Sequence, residues 1–345
     1  MDFGFYLPCY WPDLTRPADQ LYSEMLAQAR HADELGFVSV SIPEHHFINY
    51  LTHPSTLLTA VKVAAVTSRV KILTAIIVLP FYDVRRLAGE VAQTDCFTDG
   101  RLQIGVGRGA FRYEFDRLGV KFEDSREMFV DSLQLLIKLL TETDVAWKSR
   151  YYEFDSLTTM PRPVQKPHPP IWVAAVAPEA IYSSVKFGNH VMTTPLRDPF
   201  EAAKAQAEAF FKAVDEDGEK ARHLKLSTLR MIYVGRTEAD IRAKRRLALE
   251  NHKRFTDLYE TPGHVIAGAV QPLESIALTE DELEKALIIG SPDYCLDKLM
   301  KYGELGIHNM QVNSSFGASH DDVMRSMELF ASHVMPNFAG TPGSV

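Results

Sequence analysis

Short apolar runs rich in β-branched residues alternate with amphipathic runs of helical period along this 345-residue chain, and that alternation limits the folds open to it. The apolar runs are Phe3 to Leu7, Val38 to Ile42, Val70 to Val78, Leu102 to Val106, Ile171 to Ala175, Val191 to Thr194, Leu226 to Val234 and His308 to Val312. Val70 to Val78 is too apolar for a strand with one wet face, so it is expected in a parallel sheet covered on both sides. Strands alternating with helices, joined without a linker, predict an α/β protein of the (β/α)8 TIM barrel type, with one domain over residues 1–345. A doubly wound sheet is the alternative.

Between the strands, Leu21, Met25, Leu26, Ala29 and Ala32 mark one helix face that stops at Gly36. Pro54 to Thr67 is expected to be helical with Pro54 in its first turn, and Asp83 to open the next helix. Asp124 with Glu127 three residues on has the spacing of a capping box. Two stretches break the alternation. Residues 145–170 pass from alternating aromatics to prolines, which predicts an inserted hairpin, and residues 260–290 scatter Pro262, Gly263, Gly268 and Pro272 as a lid would.

Composition narrows the function classes. With 46% hydrophobic and 24% charged residues the chain is neither disordered nor membrane-spanning in character, and its N-terminus, an acid followed by Pro8 and Pro12, is unlike a signal peptide. A net charge of −8 without a basic stripe argues against nucleic acid as a partner. Cys9, Cys96 and Cys295 are too scattered for a disulfide framework or a metal cage, so no metal and a reducing cytoplasmic setting are expected.

A barrel places chemistry at the C-terminal ends of its strands. After the second strand comes Glu44-His45-His46-Phe47. Adjacent residues on an extended segment point to opposite sides, so one histidine faces the mouth, which suits a general acid or base better than a metal pair. After the fourth comes Gly105-Val106-Gly107-Arg108-Gly109, which either only turns the chain or brings a guanidinium and backbone N–H groups to a phosphate. Gly105-x-Gly107-x-x-Ala110 meets the relaxed dinucleotide fingerprint, but the bulky Phe111 to Phe115 that follow fit it poorly. Arg126 is a candidate second clamp, and Val176-Ala177-Pro178-Glu179 opens a helix whose first N–H groups offer a further anion site.

Taken together, Glu44 to Phe47, Thr74 to Pro80, Asp99 to Leu102 with Gly105 to Gly109, and Met335-Pro336 resemble the bacterial luciferase-like flavin monooxygenases, nearest to the luciferase alpha subunit. The resemblance implies reduced FMN as co-substrate, a separate flavin reductase that supplies it, O2 activated as a flavin C4a-hydroperoxide, a small organic substrate and a homodimer. By position it gives His45 the catalytic role, Arg108 and Arg126 the FMN phosphate, and Ala75-Ile76 a non-proline cis peptide against the flavin ring. It assigns Val176, Ala177, Pro178 and Glu179 to the phosphate loop, and Glu114, Gln311 and Asn313 are candidates for tuning the flavin or lining the substrate pocket. Gly107 stands where luciferases carry a reactive cysteine and Pro195 where they carry a tryptophan. Those departures point to oxygen transfer, by hydroxylation or Baeyer–Villiger insertion. A light-emitting alpha-type subunit, a deazaflavin-dependent oxidoreductase and a catalytically silent beta-like flavin-binding partner are the alternatives.

Overall fold

The computed structural model describes residues 1–196, 199–275, 282 and 286–338. Eight parallel strands, β1 (Asp2–Tyr6), β2 (Ser39–Ile42), β3 (Lys71–Thr74), β4 (Leu102–Gly107), β5 (Ile171–Ala174), β6 (His190–Thr193), β7 (Leu226–Val234) and β8 (Asn309–Asn313), pair in chain order. The ring closes where Phe3 of β1 lies opposite Met310 of β8, which rules out the doubly wound sheet. Closure leaves these eight strands no free edge among themselves.

Helices α1 (Ala18–Leu35), α2 (Thr56–Ala64), α3 (Val84–Phe97), α4 (Arg112–Leu118), α5 (Ser125–Thr141), α6 (Pro178–Lys186), α7 (Pro199–Asp217), α8 (Glu238–Glu260), α9 (Pro292–Glu304) and α10 (His320–Leu329) accompany the barrel. Ile72, Ile104, Val173 and Val191 of the strands share one buried cluster with Leu87, Val91, Leu136 and Val185 of the helices. Each such side chain contributes about 1.5–3 kcal/mol when fully buried. Gly36 ends α1 in the left-handed region at φ 90°, as its position predicts. The inside of the barrel is partly polar. Ser41 Oγ donates to Gln311 Oε1 at 2.7 Å, and Gln311 Nε2 donates to Asn309 Oδ1 at 2.7 Å.

Several local expectations are corrected. Ser55, whose side chain accepts from the Leu58 N–H, caps α2, so Pro54 lies outside the first turn. Asp124 makes no capping bond because it already sits in a 3-10 turn. Its carboxylate and that of Glu127 both face Arg150, at 3.3 and 2.9 Å, and so tie α5 to the inserted hairpin. That hairpin pairs Val145–Lys148 with Glu153–Leu157, inside the expected insertion. The expected single run Val70 to Val78 is broken after Thr74 and resumes as Ile77–Val78 beside Val106 and Gly107. Of the second insertion, residues 276–281 and 283–285 lie outside the described residues. Its first part is a small hairpin, Val265–Ile266 with Ala269–Val270, held to the rim by Asn49, whose N–H donates to Gly268 O at 2.8 Å. The alternation resumes at Ile288–Gly290, which extends the sheet beside Ile232 to Val234.

Candidate active site

At the rim beyond β2 the chain presents two histidines to two different carboxylates. The His45 ring stacks on Phe111 with centroids 4.6 Å apart, and its Nδ1 lies 3.2 Å from both Glu114 oxygens. Glu114 comes from α4, is 2% exposed, and also accepts the His46 N–H at 2.6 Å. A carboxylate facing Nδ1 favours the tautomer with the proton on that nitrogen and leaves Nε2 without a partner in Glu114. On the other side His46 Nε2 lies 3.0 Å from Glu44 Oε1, and Tyr82 Oη donates to Glu44 Oε2 at 2.9 Å. Burial pushes the Glu44 carboxyl above its usual range. For His46 burial acts downward, but the hydrogen bond and charge of Glu44, with the charge of Glu114, hold the imidazole above its usual value.

Beside the histidines lies a narrow shelf. The Ala75–Ile76 peptide is cis, as the resemblance implies. Thr74 Oγ1 donates to Gly105 O and accepts the Gly105 N–H, both at 2.8 Å, which locks β3 against β4. A Cβ on Gly105 would run into the Thr74 carbonyl, and one on Gly107 into the Ile76 side chain. The two strand glycines are therefore accounted for by close packing under the shelf. Gly109, at φ 84°, makes the turn. A cavity of about 160 Å³ opens on this shelf, lined by Tyr6, Ser41, Ala75, Ile76, Val176 and Gln311 among others. Val176 also lines a larger cavity of about 680 Å³ with Pro178, Gln206, His252, Phe255 and Tyr259.

Arg108 leaves the end of β4 with its guanidinium 5.1 Å from the Phe122 ring. Burial and then the like charge of Arg126 hold it below its usual pKa, while the nearby Tyr259 acts the other way. Among the described residues neither arginine forms an ion pair with a carboxylate. Two adjacent cations without a paired carboxylate are suited to an anion. The start of α6, at the larger cavity, also lacks a side-chain cap. Ala177 is the extended N-cap at φ −72° and ψ 135° with no side-chain cap, and Pro178 follows. The first N–H groups of that helix thus have no side-chain acceptor.

The sequence profile of the luciferase-like monooxygenases matches residues 1–309. The chain belongs to that family. The oxygenase component of a flavin-dependent trigonelline monooxygenase from Acinetobacter baylyi is 29% identical, covering 93% of this chain and 91% of its own. The monooxygenase RslO1 from Streptomyces bottropensis has a solved structure that superposes with a TM-score of 0.84 at 26% identity, covering 98% of this chain and all of the other. At 18% identity and a TM-score of 0.76, the oxygenating constituent of 3,6-diketocamphane monooxygenase from Pseudomonas putida, solved with FMN, shares the fold over 97% of this chain and 98% of its own.

Within this family member the candidate residues fall into groups. His45 and Glu114 meet directly, Arg108 and Arg126 form the cationic pair, and Ala75, Ile76 and Val176 line the shelf. Glu114 lies behind His45, and Gln311 closes the base of the smaller cavity. Asn313 is buried, accepts the Ser315 N–H at 3.1 Å and lines neither cavity. Glu179 is exposed on α6. Sequence reasoning missed Glu44 as a partner of His46, although the Glu-x-His spacing carried it, and it missed Tyr82, Phe111 and Phe255, for which no local pattern gives a signal. Among the described residues no three metal-ligating side chains gather, and no helix is long and apolar enough to cross a membrane.

Proposed function

We propose that this enzyme is the oxygenase of a two-component system: it takes reduced FMN from a separate flavin reductase and uses O2 to place one oxygen atom on a small organic substrate. The observation that carries the reading is the unneutralised pair Arg108 and Arg126 beside the Ala75–Ile76 shelf, with a carboxylate-paired histidine on the same rim. Those residues fit a phosphorylated flavin. The guanidiniums and the N–H groups of Ala177 and Glu179 hold the phosphate, and the shelf supports the ring system. When bound, reduced FMN supplies the two electrons that O2 activation requires.

The chain's own contribution is binding, proton management and exclusion of water. Glu114 fixes the His45 ring, so Nε2 is the atom that gives or takes a proton as one oxygen enters the product and the other leaves as water. Phe111 and Tyr50 flank that ring and Phe255 packs against both of them, an apolar surround that limits loss of the activated oxygen to solvent. A homodimer in the cytoplasm, with one domain per chain, belongs to the same reading.

The test couples the purified protein to an NADH-dependent flavin reductase with FMN and ¹⁸O2. Trigonelline, the substrate named for the Acinetobacter relative, is the first compound to offer, followed by cyclic ketones and long-chain aldehydes. One ¹⁸O atom per product molecule is expected, with tighter binding of reduced FMN than of reduced riboflavin. Turnover of a deazaflavin with an alcohol and no oxygen uptake would overturn the proposal, and light emission from the aldehyde would reassign it to luminescence.

A further inference from the structure

The Glu44 carboxylate is buried at the rim, yet it makes no contact with either cavity. It collects His46 Nε2 at 3.0 Å, the Tyr82 hydroxyl at 2.9 Å and the Val78 N–H. Val78 and Tyr82 belong to the segment that follows the cis Ala75–Ile76 peptide, so one carboxylate ties the histidine rim to the shelf. Across His46 the pattern repeats. The His46 N–H donates to Glu114 Oε1, and Glu114 faces His45 Nδ1. Acid and base therefore alternate along four contiguous side chains: Glu44, His46, Glu114 and His45.

We propose that Glu44 is a positioning residue for His45, acting through His46 and Glu114, so that the four side chains respond to protons as one coupled chain. The proposal rests on the reading of His45 as the proton-exchanging group. A buried carboxyl with three donors is a costly feature to maintain unless its partners need it. What it supplies is a fixed His46: the side chain held by Glu44 sets the course of the backbone that presents both the His46 N–H and the His45 ring. It also supplies charge order. The hydrogen bond and charge of Glu44 favour the charged form of His46, and positive charge on His46, standing between the carboxylates, moderates the negative charge that Glu114 presents to His45.

The other groups facing this chain are few. Tyr50 meets the His45 ring edge-on at 6.5 Å, and His53 is coupled to His45 by like charge. Phe47 and Phe81 flank His46 without charge, and Tyr82 donates to Glu44 while the charge of Glu90 also reaches its ring hydroxyl. Removing the Glu44 charge lets His46 become neutral, which leaves Glu114 less compensated and makes His45 easier to protonate. Removing the Glu114 charge does the reverse.

The experiment is a titration of the apo protein, labelled with ¹⁵N-histidine, followed at His45 Nε2 by NMR. Glu44→Gln is expected to raise the His45 midpoint by about half a pH unit and Glu114→Gln to lower it by at least as much. Tyr82→Phe tests the same coupling if Glu44→Gln does not fold: it keeps the carboxylate but removes one of its donors, so Glu44 holds His46 more strongly and the His45 midpoint is expected to fall by a smaller amount. The corresponding limb of the pH–rate profile should move in the same direction in each variant. A His45 midpoint equal to the parent's in Glu44→Gln and in Tyr82→Phe, with only a lower Tm, would reduce Glu44 to a brace and overturn the proposal. Because the titration needs no flavin, a shifted midpoint in a protein that fails to bind FMN would preserve the coupled chain while sinking the cofactor assignment.

Discussion

The two ends of the barrel use histidine in opposite ways. At the C-terminal rim His45 and His46 each face a buried carboxylate. At the N-terminal floor His190, the first residue of β6, accepts the Lys225 N–H at Nδ1 over 3.0 Å, and His308, just before β8, accepts the Leu226 N–H at 3.1 Å. Burial, assisted by neighbouring positive groups, pushes both floor histidines down to about 4. The same side chain thus faces a carboxylate at one end, the arrangement the proposed proton transfer requires, and caps a backbone N–H at the other. Partner identity, more than burial, separates function from structure here, since both ends are partly buried.

The largest effect is expected at the rim. His45→Ala is expected to lower product formation by roughly 10²–10⁴-fold, the usual worth of a positioned acid–base group, while reduced FMN still binds; a rapid-quench assay and an anaerobic titration measure the two separately. An equal loss in His190→Asn, which keeps an acceptor for the Lys225 N–H, would contradict the division between rim and floor.

A smaller effect is expected from Arg108→Ala. Losing a charge-assisted contact to phosphate costs about 1.5–3 kcal/mol, or roughly 10–150-fold in Kd for reduced FMN, with little change for reduced riboflavin. Equal weakening of both ligands in the anaerobic titration would move the phosphate elsewhere.

The mildest consequence concerns the floor. His190 and His308 have folded-state pKa values depressed from about 6.5 to about 4, so the unfolded chain binds more protons than the folded one between those limits. Their contribution to stability is complete above about pH 6.5 and declines as the pH falls toward 4. Urea unfolding across that window should show stability rising with pH, and His190→Asn should flatten the slope by about one proton. His46 carries the opposite sign, because a raised folded pKa contributes stability that fades as the pH climbs through it.

The sequence by itself determined the order of elements. Short continuous apolar runs and runs of helical period are local signals, and they placed all eight strands and the exits after β2, β4 and β5 where the groups of interest lie. His45, Arg108 and the Val176 to Glu179 turn were legible for that reason: each follows a strand, and a barrel sends strand ends to one face. The tertiary structure alone decided what those residues meet. Glu114 reaches His45 from 69 positions away and Tyr82 reaches Glu44 from 38, and no period or spacing encodes such a pairing. It also decided what the glycines are for. Gly105 and Gly107 look like a phosphate cradle in the linear chain, yet the closed sheet brings Thr74 and Ile76 against them, because side-chain volume is settled by what packs across a strand pair rather than along one strand.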